Sequence, residues 1–213
     1  MATKEKRKQF TSPVGVAQYP RLFVPDTKFE ADGVYSVKLT YENSNVPGVQ
    51  DMLDQFETVI EEAGKLMRAD EKIVTALKKK GKKPEEADRG FNIDPETGMV
   101  SVNFKMRASG TTKDGKAWSR KPAVFDKFGK PLSVDTKLGG GSEIKVAYSV
   151  SPWYTALGYG CSVRLEAAQV TKVVEWQGGT ADSYGFSVET PEAEDTFPAV
   201  AAEGTPNDAS TDF

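Results

Sequence analysis

Hydrophobic and polar residues alternate along much of this chain, as they do in β-strands that direct one face into a core. In residues 34–41, for example, Tyr35 falls on the hydrophobic face and Lys38 on the polar face. The same period of two residues marks the segments 14–24, which Pro20 interrupts, 99–107, 117–125, 143–150 and 160–174. We therefore predict a set of strands whose inward residues include Tyr35, Phe104 and Tyr148.

The hydrophobic period lengthens after Pro47. Hydrophobic residues in the segment 49–63 recur at intervals of three and four, which predicts an amphipathic helix with Pro47 in its first turn. A second helix is predicted over residues 70–80, and Gly81 is placed to end it. The strands are therefore interrupted by a helical insertion at about residues 47–80.

Turn signals separate the later strands. Asp114 and Gly115 form a dipeptide that is typical of a tight hairpin, and the glycine-rich segment 139–142 precedes another strand. Alternating strands with one helical insertion are typical of a small β-barrel or a β-sandwich, and the hydrophobic pattern does not distinguish these two folds. The fold class is predicted to be mainly β.

Composition divides the chain into three parts. Residues 1–9 are rich in Lys and Arg and are predicted to form a flexible basic arm. Residues 10–176 contain all the predicted strands and helices and are expected to form the folded domain. Beyond about Gln177 the sequence changes to Gly, Ala, Ser, Thr, Pro and acidic residues, so residues 177–213 are predicted to be a disordered acidic tail.

The chain contains no histidine, and this absence narrows its possible chemistry. It excludes Ser-His-Asp and Cys-His nucleophiles, His-containing zinc sites and acid–base catalysis by imidazole. The sequence also lacks the GxxxxGK[ST] motif and a GxGxxG motif that follows a strand. Catalysis by carboxylates, alone or with metal ions, stays open, but no acidic cluster follows a predicted strand with catalytic spacing. We therefore predict no metal site and no cofactor, and we expect that the protein is not an enzyme.

Sequence features also bear on where the protein acts. No stretch of about 18 apolar residues is present, so no membrane span is expected. The basic segment 1–10 is not followed by an apolar region, so no secretory signal is expected. The single cysteine, Cys161, is interpreted as a core residue of a cytosolic protein.

Positive and negative charges are unevenly distributed. Lys172 is the last basic residue, so residues 1–172 contain all 28 basic side chains together with 22 acidic ones and have a net charge of +6. Residues 173–213 contain nine acidic side chains and no basic ones. A basic body with an acidic terminal segment is typical of proteins that bind polyanions. The other interpretation is a solvated terminus without a function.

Cations on the polar faces of the predicted strands, together with aromatic residues near them in sequence, indicate a surface for single-stranded nucleic acid. Such surfaces combine a cationic groove with rings on which bases stack, and stacking contributes roughly 1–3 kcal/mol per base. Trp153 and Tyr154 fall in a connection that is predicted to be a loop, and Arg164 is a further outward cation. The predicted DNA-binding residues are Lys38, Lys105, Arg107, Trp118, Arg120, Lys121, Lys145, Trp153, Tyr154 and Tyr159.

The sequence ends in Asp212 and Phe213, so a carboxylate precedes a terminal aromatic residue. The carboxylates of Asp212 and of the chain terminus are suited to a basic pocket, and the ring is suited to an apolar floor. We predict that these two residues bind a protein partner.

Several segments occur in an order and spacing that match a known family. They are residues 10–12 (FTS), 33–40 (GVYSVKLT), 124–130 (VFDKFGK), 139–150 (GGGSEIKVAYSV) and 152–154 (PWY), and the Asp-Phe end of the tail also fits. From about Phe10 to Trp176 the chain resembles the single-stranded-DNA-binding proteins of T-seven-like bacteriophages and of related tailed phages.

The resemblance implies a five- to six-stranded oligonucleotide/oligosaccharide-binding (OB) barrel with an inserted helix, usually dimeric. It implies sequence-nonspecific binding of single-stranded DNA during phage replication, recombination and annealing, in the cytoplasm of the infected bacterial host. The acidic tail would recruit the phage DNA polymerase and helicase–primase and would compete with DNA for the groove. Trp153 and Tyr154 align with an aromatic, basic loop that contacts DNA in the family, although no Lys or Arg adjoins them here.

Two other functions are compatible with these residues. An OB-fold module for protein interaction or virion assembly would not bind DNA and would use the acidic tail as its working part. A nuclease that holds a metal with carboxylates would degrade single-stranded oligonucleotides in the presence of Mg²⁺.

Overall fold

The computed structural model describes residues 8–79 and 86–175, with only the backbone described for residues 86–88. Within these ranges the chain is mainly β, with two helices in the middle of the sequence. The strands are β1 (Gln9–Thr11), β2 (Gly15–Asp26), β3 (Val34–Tyr41), β4 (Glu86–Asp88), β5 (Phe91–Ile93), β6 (Val100–Arg107), β7 (Ser109–Thr111), β8 (Ala117–Ser119), β9 (Ala123–Phe125), β10 (Glu143–Thr155) and β11 (Gly158–Lys172). The helices are α1 (Val49–Ala69) and α2 (Glu71–Lys79).

Five strands pair with one another in a closed circuit. β2 pairs with β3, β3 with β6, β6 with β11, β11 with β10, and β10 with β2. All of these pairs are antiparallel except β6–β11, where Lys105 lies opposite Arg164. Shorter strands add to the circuit: β1 pairs with β10, β5 with β6, and β4 and β9 with β11. Because every strand of the circuit has a neighbour on both sides, it has no free edge.

The inward faces of this circuit form the hydrophobic core. Tyr35, Phe104 and Tyr148 are 7%, 0% and 1% exposed, so their predicted place in the core is confirmed. The rings of Phe104 and Tyr148 lie 5.4 Å apart between centroids, and the Tyr148 hydroxyl donates a hydrogen bond to Gln55 Oε1 on α1. Cys161 is also buried and makes no disulfide.

Helix α1 covers one end of the core with a continuous apolar face. Phe56 is fully buried and its ring meets the edge of the Tyr148 ring at 5.8 Å between centroids. The helical insertion is confirmed, but α1 begins at Val49, so Pro47 precedes the helix. The reason is Gly48, whose backbone is in the left-handed region (φ 81°) and which caps the helix.

Two predicted strands differ in the structure. The predicted strand 117–125 is divided into β8 and β9, and the intervening segment contains Pro122, which cannot donate a ladder hydrogen bond. The predicted strand 14–24 is irregular at Pro20 as expected, because the register of β2 with β3 shifts between Gln18 and Arg21. It differs in length, because β2 continues to Asp26.

Trp153 and Tyr154 were predicted to lie in a loop, and this is wrong. Both belong to β10, because its pairing with β11 continues as far as Thr155 opposite Gly158. Trp118 lies in the short strand β8, within the segment 117–125 that is predicted to be a strand. At the other end of the chain β1 already begins at Gln9, the last residue of the predicted basic arm.

Several predictions fall outside the described residues. They concern most of the basic arm, the end of the second helix at Gly81, the acidic tail and its last residues Asp212 and Phe213. Within residues 8–79 and 86–175, no helix is both long and apolar enough to cross a membrane. The same part of the chain has no group of three or more Cys, Asp or Glu side chains placed to hold a metal ion.

Candidate nucleic-acid interface

An open groove of about 820 Å³ runs across the outward faces of β3, β6 and β11. Five cationic side chains and one carboxylate, that of Glu30, lie along it. The cations are Lys38, Lys105, Arg107, Arg120 and Arg164. The groove is therefore strongly positive over a small area, as expected of a surface for a polyanion.

The strand pattern concentrates these cations. On β6, Lys105 and Arg107 alternate with buried residues and so project from the outer face. The residue opposite Lys105 on β11 is Arg164, and the residue opposite it on β3 is Ser36. Since residues opposite one another lie on the same face of a sheet, two positive charges stand side by side at the centre of the groove, with Lys38 on the same side of β3.

Trp118 forms part of the groove wall. It is paired with Gly110 across the β7–β8 hairpin, and a Cβ atom added to Gly110 would lie only 2.7 Å from the indole Cζ2. The guanidinium of Arg120 lies 4.9 Å from the centre of the indole ring. Arg120 Nε also donates a hydrogen bond to the Arg107 carbonyl at 2.9 Å. These contacts hold a half-exposed ring beside the cations, where it can accept a base.

Glu30 introduces a negative charge into this positive surface. It lies in the connection between β2 and β3, and its Oε2 is 3.3 Å from Arg107 Nε. Both side chains are about half exposed, so this ion pair is weak and open to exchange. A phosphate could therefore replace Glu30 as the partner of Arg107.

The sequence pattern missed Phe91, which also lines the groove. Phe91 is in the three-residue strand β5, and its ring lies 6.1 Å from that of Phe56. The Arg89 guanidinium lies 5.8 Å from the centre of the Phe91 ring. A strand of three residues is too short to show a period, but the close spacing of Arg89 and Phe91 was a usable signal.

The predicted site residues divide into two groups. Lys38, Lys105, Arg107, Trp118 and Arg120 come together in the groove. Lys121, Lys145, Trp153, Tyr154 and Tyr159 do not line it. Lys145 lies opposite Gln169, whose amide donates to the Asp126 carbonyl, so it belongs to a different part of the surface.

The aromatic end of the β10–β11 hairpin adjoins helix α1. Tyr154 lies opposite Tyr159, and a Cβ atom added to Gly64 would lie 3.0 Å from Cε2 of Tyr159. The same added atom would lie 3.3 Å from both terminal nitrogens of the Arg68 guanidinium. The helix therefore supplies a cation to the aromatic end of the hairpin, where no Lys or Arg adjoins Trp153 and Tyr154 in sequence.

Trp153 shares a face of the hairpin with Arg164. Ser149 lies opposite Arg164 and Trp153 lies four residues further along the same strand, opposite Gly160. Side chains four residues apart on a strand project from the same face. The ring of Trp153 therefore lies on the face of β10–β11 that leads into the groove.

Comparison with known proteins gives the family. The model of the bacteriophage T7 single-stranded DNA-binding protein family matches residues 14–175. The chain belongs to this family. The match covers all of β3, β6 and β11, which form the groove.

Two phage proteins in this family are similar over most of their length. The single-stranded DNA-binding protein of Enterobacteria phage T3 is 32% identical over 197 residues, which are 86% of this chain and 84% of that protein. The single-stranded DNA-binding protein of Escherichia phage T7 is 33% identical over 189 residues, which are 83% of this chain and 81% of that protein.

Solved structures resemble the fold. The crystal structure of gp2.5, a single-stranded DNA-binding protein encoded by bacteriophage T7, matches with a TM-score of 0.66 and 31% identity over 92% of this chain and 100% of that one. The single-stranded DNA-binding protein from bacteriophage Enc34, in complex with single-stranded DNA, matches with a TM-score of 0.52 over 78% and 88% of the two chains. At 14% identity this second likeness is one of fold.

Proposed function

We propose that this protein binds single-stranded DNA without sequence preference in the groove across β3, β6 and β11. The observation that carries the proposal is the meeting of five cations with Trp118 in one open groove. The cations neutralise phosphates and release counterions, while the indole stacks on a base that is not paired. Neither contact reads base edges, so sequence preference is weak.

We further propose that the closed circuit is an OB barrel. Counted along the chain, its five strands are β2, β3, β6, β10 and β11, and the third and fifth are the parallel pair. OB folds bind oligonucleotides on the face of their second and third strands and with the loops that follow the first and fourth strands. Here the second and third strands, β3 and β6, bear Lys38 and Lys105, and the loop after the first strand bears Glu30. The connection after the fourth strand is the tip of the β10–β11 hairpin, which we call the aromatic hairpin because it carries Trp153, Tyr154 and Tyr159. This correspondence supports the proposal.

The aromatic hairpin extends the binding path in this proposal. Trp153 lies on the face that leads into the groove, and Tyr154 is paired with Tyr159, which packs against α1 where Arg68 adds a positive charge. Leu157 at the hairpin tip is 85% exposed and offers an apolar surface to a further base. The hairpin therefore offers the same two kinds of contact as the groove, namely apolar or aromatic surfaces for bases and a cation for phosphate.

The wider role follows from the family. We propose that the protein protects single strands in phage DNA replication and recombination and promotes annealing in the host cytoplasm, with no enzymatic activity of its own. We also propose that the protein is a dimer, as the family resemblance implies. In this proposal the acidic segment 177–213, with Asp212 and Phe213, recruits the phage polymerase and helicase–primase and competes with DNA for the groove. The support is the concentration of nine acidic residues after Lys172.

A titration of fluorescent oligo(dT) with the full chain, at two salt concentrations and beside a duplex of equal length, tests the function. We expect tight binding to the single strand, weaker binding to duplex, and an affinity that falls with salt by about 0.7 log units per log unit for each neutralised phosphate. Absence of binding would favour a protein-interaction module. Mg²⁺-dependent degradation of the oligonucleotide would favour a nuclease.

A further inference from the structure

Tyr19 has an unusual backbone. Its φ is 50°, and it is the one residue other than glycine with a positive φ within the described part of the chain. Residues with a Cβ atom adopt this left-handed region at a cost in free energy, and such strain is found preferentially at functional sites. The strain at Tyr19 therefore requires an explanation.

Burial does not explain the strain, because the Tyr19 side chain is 82% exposed. A buried ring would offset the cost through the hydrophobic effect, whereas an exposed ring gains little inside its own chain. The compensation is better sought in a ligand that the ring contacts.

A β-bulge exposes this ring. On β2, Ala17 points into the core, so strict alternation would direct Tyr19 inward as well. The register shifts between Gln18 and Arg21, so that Tyr19 and Pro20 together occupy the space opposite a single residue of β3. Such bulges redirect side chains, often beside binding sites. Here the extra residue and the left-handed backbone turn the ring out to solvent.

The bulge adjoins the groove. Gln18 lies opposite Lys38, which lines the groove, and Arg21 lies opposite Ser36. Arg21 is exposed and makes no ion pair with the described residues. An exposed ring and an exposed cation thus lie on the strand next to the groove wall, in the combination that single-strand binders use.

We infer that Tyr19 is a base-stacking residue that extends the groove from β3 onto β2, with Arg21 as its phosphate contact. This inference rests on the proposed function. It adds one nucleotide position to the path of the bound DNA, on the side of Lys38 that faces away from Lys105. No signal in the hydrophobic pattern indicated this role, because Tyr19 precedes a proline in an interrupted strand.

Three substitutions in the full chain separate the effect of the Tyr19 ring on binding from the effect of the strained backbone. Tyr19→Gly and Tyr19→Asn remove the ring and keep a residue that tolerates the left-handed region. Tyr19→Phe keeps a ring and is the matched control. With oligo(dT), we expect Tyr19→Gly and Tyr19→Asn to lose affinity roughly 5- to 150-fold and Tyr19→Phe to bind like the unaltered chain. The melting temperature of Tyr19→Gly should not fall, because glycine adopts this backbone without strain.

Cross-linking gives a direct readout. An oligo(dT) with one 5-iodouracil, irradiated in complex with the unaltered chain, should form an adduct on the peptide that contains Tyr19. If the unaltered chain binds but Tyr19→Gly binds equally well and no adduct forms there, the inference is overturned. A lower melting temperature of Tyr19→Gly with unchanged affinity would instead assign the residue a structural role. If the unaltered chain does not bind oligo(dT), the proposed function itself fails, and this inference fails with it.

Discussion

Trp118 and Gly110 form the smallest unit on which the proposed binding depends. The indole lies directly against the glycine, where an added Cβ would approach it to 2.7 Å, and Arg120 lies over the ring. The position of the ring therefore depends on the absence of a side chain at residue 110. A change at either residue should alter the binding surface without reaching the core.

Both Trp118→Ala and Gly110→Ala should weaken binding to oligo(dT). Trp118→Ala removes the stacking surface and should cost about 1–3 kcal/mol of binding free energy. Gly110→Ala keeps the indole but displaces it, so we expect a smaller loss of affinity. Fluorescence titration measures both. Gly140→Ala is the control, because a Cβ there lies no closer than 3.9 Å to its nearest neighbour. Equal losses for Gly140→Ala and Gly110→Ala would contradict the proposed role of the indole.

Ionisation of Tyr41 is expected to lower the free energy of unfolding at alkaline pH. Burial raises the pKa of its hydroxyl to about 12, although a hydrogen bond with Ser12 acts in the opposite direction. The folded state therefore holds this proton more tightly than the unfolded state, in which the tyrosine has its ordinary pKa of 10.0. The contribution of the protonated Tyr41 to the free energy of unfolding is fully present below pH 10. As the pH rises from 10 towards 12, the free energy of unfolding falls by up to about 3 kcal/mol.

Urea unfolding at several pH values above 9 checks this expectation. The free energy of unfolding should decline between about pH 10 and pH 12, and Tyr41→Phe should decline less steeply because it cannot ionise. Tyr19→Phe, which alters an exposed tyrosine, is the control and should follow the unaltered chain. An identical pH dependence in Tyr41→Phe would show that another group causes the effect.

Among the elements, strand β6 contributes the central cations of the groove. Lys105→Ala together with Arg107→Ala should lower the affinity for oligo(dT). The plot of log affinity against log salt should flatten by about 0.7 for each phosphate contact that is lost, because fewer counterions are then released. Titrations at four salt concentrations measure this slope.

Two further substitutions sharpen the test of β6. Lys145→Ala removes one positive charge from outside the groove and should change the slope less than either groove residue alone. Glu30→Gln frees Arg107 from its ion pair and should raise the affinity at low salt. If Lys145→Ala has as large an effect as Lys105→Ala, DNA follows a different face of the closed strand circuit.

In the β10–β11 hairpin we assign a binding role to Trp153 and a packing role to Tyr159. Trp153→Ala should weaken oligo(dT) binding by about 1–3 kcal/mol with little change in melting temperature. Tyr159→Ala should lower the melting temperature, because its ring packs against α1 at Gly64. Thermal unfolding and fluorescence titration of both variants measure the contrast. A reversal of the two effects would exchange the roles that we assign to these rings.

For the whole molecule, the separation of charge predicts the effect of the acidic tail. Residues 173–213 carry nine acidic side chains that are tethered to a body with a net charge of +6. We expect tethering to give them an effective concentration on the order of millimolar and so to let them compete with phosphates for the cations of the groove. Each exposed pair contributes at most about 1 kcal/mol, but several act together.

Removal of residues 177–213 should therefore tighten DNA binding. The gain in affinity should be largest at low salt and should fade as salt screens both interactions. The shortened chain should also fail to bind the polymerase and helicase–primase that we propose as partners, since Asp212 and Phe213 are absent. Replacement of the eight acidic side chains of residues 177–213 by their amides in the full chain is the matched control for charge. Unchanged affinity of both variants at low salt would mean that the acidic segment does not compete with DNA.

The approximate positions of the five long strands, the helical insertion and much of the core could be predicted from the order of residues along the chain. Alternation assigned Tyr35, Phe104 and Tyr148 to the interior, and the structure confirms them, because burial of one face is a local consequence of the two-residue period. The absence of histidine and the separation of charge are also properties of the sequence alone. Family membership followed from the order and spacing of short segments, and the comparisons confirm it.

Tertiary structure decided which outward residues meet. The period of two residues shows that Lys105 and Lys145 both point outward, but only strand pairing brings Lys105 beside Arg164 and leaves Lys145 outside the groove. Pairing also extended β10 through Trp153, and helix packing brought Arg68 to the aromatic hairpin. The physical reason is that a binding surface consists of contacts between residues far apart in sequence, and the register and closure of the sheet, which the local pattern leaves open, determine those contacts.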